Sequence, residues 1–226
     1  MFFKSYIETQ CLLCADYKGM KLGLCESCQE SLSWHVQPQC QQCGLLSNSN
    51  LCGSCINSPP HFDSTHALFT YDYPADILIR QYKYHDLLHL ADVFAHLFLK
   101  HKAGHFGRDV DLILPMPMHS QRLKERGFNQ ALEFAKSLAS SLQRPLDYKT
   151  CQRIKLTPPQ AGLPLKSRIK NVRGVFECNQ SLQGLNIAII DDVMTSGASL
   201  NELAKTLKKA GAARVECWVI ARTLPS

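Results

Sequence analysis

The chain has 226 residues, 45% hydrophobic and 19% charged, a composition that predicts a packed core and excludes an extensively disordered chain. Its net charge of +6 comes from the second part: residues 1–60 hold three Lys and Arg against four Asp and Glu, whereas residues 61–226 hold 22 against 15. That part is expected to meet a phosphate-bearing partner. MFFKSYIETQ is not a secretory signal, and no run of 18 apolar residues follows, so we expect a soluble, cytoplasmic protein without membrane insertion.

Eight of the eleven cysteines form four C-x-x-C pairs within the first 58 residues. They are Cys11, Cys14, Cys25, Cys28, Cys40, Cys43, Cys52 and Cys55. A C-x-x-C turn (a knuckle) presents two sulfurs on one side, and two knuckles supply the four thiolates that tetrahedral Zn²⁺ prefers. The spacing predicts that residues 1–58 are a double zinc ribbon with two structural zinc ions. Such sites are closed, so a catalytic zinc is not expected.

Disulfides and a redox C-x-x-C are the alternatives, but a redox motif occurs singly beside a βαβ unit, and here the pair occurs four times. The pairing of the knuckles stays open. Sequential pairing closes two ribbons by loops of ten and eight residues, and interleaved pairing is also compatible with the spacing. The other three cysteines are predicted to be buried thiols. They are Cys151, Cys178 and Cys217.

Residues 61–226 alternate between strand and helix patterns, which predicts an α/β fold with a parallel sheet covered by helices on both faces. Predicted strands cover residues 66–73, 110–115, 187–190 and 215–221, and predicted helices cover 86–100, 131–142 and a segment from about Ser199 to a C-cap at Gly211. Residues 116–127 are predicted to be a loop.

The stretch IAIIDDVMTSGAS, residues 187–199, combines a buried strand, two acids and a loop of small residues. Ligands of parallel sheets bind outside the carboxyl ends of the strands, where Asp191 and Asp192 are expected. Small residues at a helix start let a phosphate approach the backbone amides, and paired carboxylates suit the ribose hydroxyls or a Mg²⁺ beside a diphosphate. A strand that ends in solvated acids and an ordinary N-cap is the alternative.

These thirteen residues resemble the phosphoribosyl pyrophosphate (PRPP) signature of type I phosphoribosyltransferases. Together with LPMPMHSQRLKERGFNQ, QAGLPLKSRIKNVRGVF and the knuckles, they make nearly the whole chain similar to the ComF family. The resemblance implies that residues 61–226 are a type I phosphoribosyltransferase-like domain behind the zinc ribbons. For characterised relatives, it implies a part in natural transformation, in which they handle incoming single-stranded DNA.

The resemblance also implies roles for individual residues. Asp191 and Asp192 would bind the ribose or Mg²⁺, and residues around 155–173 would form a mobile loop over the site. The 5′-phosphate would bind to Thr195, Ser196, Gly197, Ala198 and Ser199, where Ser196 and Ser199 keep the hydroxyl of the Thr that is frequent in relatives. The pyrophosphate would lie near Met116, Pro117, Arg122, Arg126 and Lys83.

Residues 122–173 contain twelve Lys and Arg but three Asp and Glu, mainly in two predicted loops. These basic residues could bind pyrophosphate or a polynucleotide backbone, or they could simply form a solvated face. Few aromatic residues lie among them, which argues against base-specific readout. His85, Asp86 and His89 have the spacing of the H-E-x-x-H motif of zinc proteases. An Asp side chain is, however, too short to act as the general base, which is the role of the Glu in that motif. We interpret His85, His89 and His96 as the polar edge of a helix.

Two functions follow. The preferred one is a module that binds PRPP or a nucleotide-like ligand and acts in DNA uptake, with single-stranded DNA and competence-machinery proteins as partners. The alternative is a Mg²⁺-dependent phosphoribosyltransferase that releases pyrophosphate through an oxocarbenium-like transition state and uses an unknown acceptor. No catalytic residue is assigned. The first is preferred because the knuckles are expected to occupy the place of the hood that covers the acceptor site in base-specific transferases.

Overall fold

The computed structural model describes residues 10–16, 23–84, 87–102, 106–157 and 170–225. In chain order the helices are α1 (Glu26–Glu30), α2 (Gly53–Asn57), α3 (Ala75–Tyr84), α4 (Leu90–His101), α5 (Ser120–Arg126), α6 (Gln130–Leu142) and α7 (Ala198–Lys209). The strands are β1 (Ser64–Thr70), β2 (Leu112–Pro115), β3 (Cys151–Arg153), β4 (Phe176–Cys178), β5 (Asn186–Met194) and β6 (Arg214–Arg222). Among the described residues, no helix is both long and apolar enough to cross a bilayer.

Four strands form a parallel sheet in the order β1-β6-β5-β2, and β3 and β4 form a separate antiparallel ribbon. Successive residues of β5 are buried against opposite faces of the sheet. Ile187 and Ile189 belong to one core and Ala188 and Ile190 to the other, because side chains alternate along a strand. A strand that is buried on both faces must be apolar throughout, which explains the unbroken apolar run. The predicted fold class is confirmed.

Helices cover both faces of the sheet. On one face α3, α4 and α6 build a core in which the Phe98 ring lies 5.8 Å from the Phe134 ring and 6.1 Å from the Trp218 ring, centroid to centroid. On the other face α7 contributes Leu203 and Leu207 to a second core. The amphipathic spacing of α7 thus fixes the helix against the sheet, and with it the loop that precedes the helix.

Several sequence-based boundaries and elements differ from the structure. The strand predicted at 187–190 continues to Met194, because β6 runs alongside and pairs Val193 with Ala221. The loop prediction for 116–127 is wrong, since α5 forms within it. His119 caps α5 by accepting the N–H of Gln121 at 3.2 Å on Nδ1. Helix α3 was not predicted.

The cysteine-rich part covers one edge of the sheet. Trp34 forms an antiparallel bridge with Phe69 of β1, and the N–H of Thr70 donates to the carbonyl of Ser33 at 2.7 Å. The Trp34 ring also lies 5.0 Å from the Phe69 ring and stacks on His101 of α4 at 4.8 Å. Unpaired backbone groups of an edge strand can pair with another chain and cause aggregation. These contacts give backbone groups of β1 hydrogen-bond partners and join the cysteine-rich part to the sheet.

Candidate functional site

A cavity of about 1080 Å³ lies at the carboxyl ends of β2 and β5. Every residue to which the resemblance gave a place in the ribose, phosphate or pyrophosphate site lines it: Lys83, Met116, Pro117, Arg122, Arg126, Asp191, Asp192, Thr195, Ser196, Gly197, Ala198 and Ser199. The described residues in its wall all lie at or beyond Lys83. The described knuckles therefore do not form a hood over it, and that expectation is wrong for this part of the chain.

The two aspartates occupy the last part of β5, where β2 no longer runs beside it. Asp191 Oδ1 accepts the N–H of Asp192 at 2.9 Å, and Asp192 Oδ1 accepts the N–H of Val193 at 2.6 Å. These bonds hold both carboxylates close to the backbone and at the cavity wall. Burial and the charge of Asp192 raise the pKa of Asp191 to about 7, against the smaller opposing effects of the Asp192 N–H, Lys83 and Arg153.

Lys83 supplies the balancing charge from the end of α3. Its Nζ lies 3.1 Å from Asp192 Oδ2, and the two side chains are only 18% and 16% exposed. Burial lowers the pKa of Lys83, but the carboxylates of Asp192 and Asp191 outweigh it, so that the net shift of the pKa is upward. Lys83 therefore stays charged and neutralises one of two adjacent carboxylates.

The loop before α7 opens the helix N-terminus to the cavity. Gly197 occupies the N-cap position with φ of 75° and has no side chain to cap α7, and Ser196 Oγ accepts the N–H of Ala198 at 3.4 Å. A Cβ on Gly197 would lie 2.7 Å from Cε of Met194, so both the left-handed backbone and the close packing require glycine. Backbone amides and the positive end of the helix dipole together suit an anion such as a phosphate group.

Replacing Gly197 by Ala is expected to lower the free energy of unfolding by about 1–2 kcal/mol, because a non-glycine residue is strained at positive φ. It should also weaken PRPP binding, since the loop must shift away from Met194. Gly184→Ala is the matched control: φ is 77° there, and a Cβ would meet no atom within 4 Å. Calorimetry should show similar losses of stability but weaker PRPP binding for Gly197→Ala alone. Equal binding by both variants would contradict the prediction.

Two arginines on the other side of the cavity are tied to one threonine. Arg122 Nη2 of α5 donates to the carbonyl of Thr157 at 2.6 Å, and Arg153 Nη2 of β3 donates to Thr157 Oγ1 at 2.7 Å. The Arg153 guanidinium also lies 5.5 Å from the centre of the Phe176 ring. Arg153 was not predicted as a site residue, because a three-residue strand has no usable periodicity, whereas Thr157 lies in the segment that was predicted to close over the site.

Arg126 is held separately. Its Nη1 donates to Gln130 Oε1 at 3.0 Å, and its guanidinium lies 5.6 Å from the centre of the Tyr84 ring. Gln130 is 2% exposed, and its carbonyl accepts the hydroxyl of Tyr82 at 2.7 Å. The two α5 arginines therefore lie on a helix rather than in the predicted loop. Of the predicted mobile loop, residues 158–169 lie outside the described residues.

The histidine motif lies only partly within the described residues. His89 precedes α4 as its N-cap residue, His96 is exposed on α4, and His85 and Asp86 lie outside the described residues. Within the described part of the chain, the groups of three or more side chains that could hold a metal ion are the two cysteine clusters.

The cysteine clusters pair sequentially. The first cluster contains Cys11, Cys14, Cys25 and Cys28, and the second contains Cys40, Cys43, Cys52 and Cys55, with the four sulfurs of each within 4.8 Å of one another. The Sγ atoms of Cys14 and Cys25, and those of Cys43 and Cys52, are 3.7 Å apart. Tetrahedral zinc with bonds of about 2.3 Å needs sulfurs about 3.8 Å apart, so both clusters are compatible with zinc.

Interleaved pairing does not occur, because each cluster joins two consecutive knuckles. Disulfides do not occur either, since all eleven cysteines are free thiols. Outside the clusters Cys151 and Cys217 are buried, as predicted, whereas Cys178 is half-buried.

Comparison with known proteins adds to this geometry. Residues 129–224 match the phosphoribosyl transferase domain. The chain is 32% identical over 209 residues to DNA utilization protein YhgH of Salmonella typhi, covering 89% of this chain and 91% of that protein. It is 29% identical to Competence protein F of Haemophilus influenzae, and the match covers 96% of this chain and 99% of that protein. The chain belongs to the ComF family. Competence protein ComFC of Bacillus subtilis is a further relative at 25% identity, covering 88% and 84%.

Solved phosphoribosyltransferases show a weaker likeness to this ComF-family chain. A purine phosphoribosyltransferase from Pyrococcus horikoshii has a TM-score of 0.34 at 15% identity, covering 71% of this chain and 92% of that one. UMP synthase of Leishmania donovani has a TM-score of 0.36 at 19% identity, covering 64% and 24%. The assignment of the fold rests on the parallel sheet and the matched domain.

Proposed function

We propose that this ComF-family protein binds PRPP, or a related ribose 5-phosphate ligand, with Mg²⁺ and takes part in natural transformation by handling incoming single-stranded DNA. One observation carries the ligand: the carboxylates of Asp191 and Asp192 and the open N-terminus of α7 face the same cavity. The names of the relatives, DNA utilization protein and competence protein, support the process.

In this proposal each wall of the cavity meets one part of the ligand. The carboxylates of Asp191 and Asp192 accept hydrogen bonds from the ribose hydroxyls, and the amides of residues 195–199 bind the 5′-phosphate. Arg122 and Arg126 lie where they would neutralise the pyrophosphate. Mg²⁺ would bind to carboxylate and diphosphate oxygens and spread the charge of the diphosphate. The protein itself then supplies orientation and charge complementarity.

The experiment that tests the ligand is calorimetric titration of PRPP and Mg²⁺. Replacing Asp191 and Asp192 by Asn removes two charged acceptors, each worth about 1.5–3 kcal/mol, so binding should weaken by about 100-fold or more. Asp109→Asn, an exposed aspartate before β2, controls for the loss of negative charge. If PRPP binds none of the three proteins, or binds all of them equally, the proposal is wrong.

The binding of PRPP is expected to depend on pH through Asp191. Because the pKa of Asp191 is raised to about 7, this carboxyl is mostly protonated at pH 6 and mostly ionised at pH 8. A ligand that needs the carboxylate should therefore bind about tenfold more weakly at pH 6 than at pH 8. Asp191→Asn should keep only the dependence that the ligand's own phosphates impose. A wild-type profile that matches this variant would contradict the role of Asp191.

The proposed DNA contact rests on the basic residues beside the cavity. Lys124 is exposed on α5 between Arg122 and Arg126, so Lys124→Glu should weaken binding of single-stranded DNA and reduce its dependence on salt. Lys209→Glu makes the same change of charge at the far end of α7, where Lys209 is also exposed. Equal effects of both variants in a salt titration would show that net charge alone is responsible.

A second function has one observation in its favour. The described knuckles leave the cavity open, and its volume exceeds the 300–1,000 Å³ typical of small-molecule sites. An acceptor could enter, as an active phosphoribosyltransferase would require. An assay for pyrophosphate released from PRPP in the presence of nucleobases or single-stranded DNA decides between the two. Release that Asp191→Asn/Asp192→Asn abolishes would establish an enzyme.

A further inference from the structure

Arg222 is a buried charge that the proposed function does not use. It ends β6 and is only 3% exposed. Its Nε donates to the carbonyl of Cys43 at 2.9 Å, and its Nη1 donates to the carbonyls of Met194 at 2.9 Å, Thr195, and Thr223 at 3.0 Å. A buried guanidinium is tolerated only when its N–H groups are satisfied, so these carbonyls fix its position.

The partners of Arg222 come from two functional parts of the molecule. Cys43 is a member of the second cysteine cluster, and Met194 and Thr195 begin the loop that leads into α7. One guanidinium thus bridges a candidate metal site and a candidate phosphate site. Cys43 and Met194 are 151 residues apart in the sequence, yet the carbonyl oxygens of both accept hydrogen bonds from this single side chain.

The bridge also helps to set the direction of two loop amides, together with the N–H of Thr223, which donates to the carbonyl of Met194 at 3.0 Å. In a trans peptide the C=O and the following N–H point in opposite directions. Because the carbonyls of Met194 and Thr195 point at Arg222, the N–H groups of Thr195 and Ser196 point away from it. Thr195 and Ser196 line the cavity, so the bridge helps to orient two amides of the proposed phosphate cradle.

Close packing around the bridge leaves little room for the knuckle to move independently. A Cβ on Gly44 would lie 3.1 Å from Cγ2 of Thr65 and 3.7 Å from Cδ of Arg222. Thr65 Oγ1 donates to the carbonyl of Gln42 at 2.6 Å and lies 3.9 Å from Sδ of Met194. The knuckle backbone, β1 and the start of the loop therefore pack as one unit, and loss of order in the knuckle would release the carbonyl that anchors Nε.

We propose that Arg222 is a positioning residue through which metal loading of the second cysteine cluster sets the affinity of residues 195–199 for a phosphate group. This inference rests on the proposed function, because it takes these residues to be the phosphate site. Such coupling is reciprocal: metal loading tightens phosphate binding, and bound phosphate retains the metal by the same factor. We expect about a tenfold change in each affinity, within the usual range for coupled sites.

The experiment compares one ligand substitution in each cluster of the full chain. Cys52→Ser removes a ligand of the second cluster, and Cys28→Ser removes a ligand of the first, so each costs one metal site. Cys52→Ser should weaken PRPP binding about tenfold and speed amide hydrogen exchange at residues 195–199 without ligand, whereas Cys28→Ser should do neither. Equal effects of both variants on binding and exchange would overturn the proposal.

Arg222→Lys tests the hydrogen bonds of the Arg222 guanidinium while both cysteine clusters stay intact. If Cys52→Ser does not fold, this variant alone tests the coupling between the two sites. Lysine keeps the charge but lacks the planar fork that reaches several carbonyls at once. It should weaken PRPP binding about tenfold and speed extraction by a chelator of one of two zinc ions per chain. Unchanged PRPP affinity and unchanged extraction would overturn the proposal. If wild type binds no PRPP, the proposed function fails, and exchange and extraction still test the coupling.

Discussion

Lys83→Met is expected to lower the free energy of unfolding by about 3 kcal/mol and to weaken PRPP binding at pH 7. The ion pair between Lys83 and Asp192 is mostly buried, with Nζ and Oδ2 3.1 Å apart. Removing one partner of a buried pair leaves an uncompensated charge, which costs about 3–5 kcal/mol, and we take the lower end because both groups keep some contact with water. Denaturant titration measures this loss.

The effect on binding has a separate cause. Lys83 lowers the pKa of Asp191, so its removal should raise that pKa further and leave more of the carboxyl protonated at pH 7. The midpoint of the pH profile of PRPP binding should therefore move upward in Lys83→Met. A profile with an unchanged midpoint would contradict the placement of Lys83 beside the aspartates.

Arg80→Met on the same helix is the matched control. Arg80 pairs with Asp76 at 2.6 Å, and the side chains are 57% and 20% exposed, so the arginine keeps more contact with water than Lys83 does. An i,i+4 helix pair contributes about 0.3–0.5 kcal/mol. The control should therefore unfold nearly as the wild type does and bind PRPP equally well. A loss of stability in Arg80→Met as large as that in Lys83→Met would show that α3 is sensitive to any substitution.

Removing both metal ions is expected to have the largest effect on the structure. Structural zinc contributes about 10–16 kcal/mol to the folding of small zinc-finger peptides, and the two cysteine clusters each link two knuckles of the described cysteine-rich part. After chelation, hydrogen exchange should show loss of protection in residues 24–58 while β5 and β6 stay protected in their own core. Elemental analysis of the untreated protein should find two zinc ions per chain.

Cys178→Ser controls for the loss of a thiol, since Cys178 lies in β4 outside both clusters. This variant should retain two zinc ions and the exchange pattern of the wild type. One zinc ion in the untreated wild type would contradict a double ribbon, and so would unchanged protection of residues 24–58 after both ions are lost.

The sequence predicted the fold class and the two cysteine clusters for reasons of pattern, and it predicted a set of residues that the structure brings together around one cavity. Four identical cysteine spacings indicated two metal sites without any knowledge of the fold. The run from Ile187 to Ser199 indicated a buried strand and a phosphate loop because both are local features. Even so, the sequence could not choose the knuckle pairing, since spacing alone permits more than one arrangement and only tertiary structure brings Cys14 beside Cys25.

What escaped prediction depends on contacts between distant parts of the chain. Arg222 follows an apolar run, and a charge at the end of a buried strand was a signal that could have been read. Arg153 has no comparable signal, because β3 exists only through its pairing with β4. The strand end at Met194 was likewise set by β6 rather than by the local sequence.

A crystal structure of the protein with PRPP and Mg²⁺ tests the central claim most directly. We predict that the 5′-phosphate lies within hydrogen-bond distance of the backbone amides of residues 195–199. The ribose hydroxyls should then contact the carboxylates of Asp191 and Asp192, with the pyrophosphate toward Arg122 and Arg126. A ligand bound in the opposite orientation, or outside this cavity, would contradict the assignment of the two aspartates to the sugar and of residues 195–199 to the 5′-phosphate.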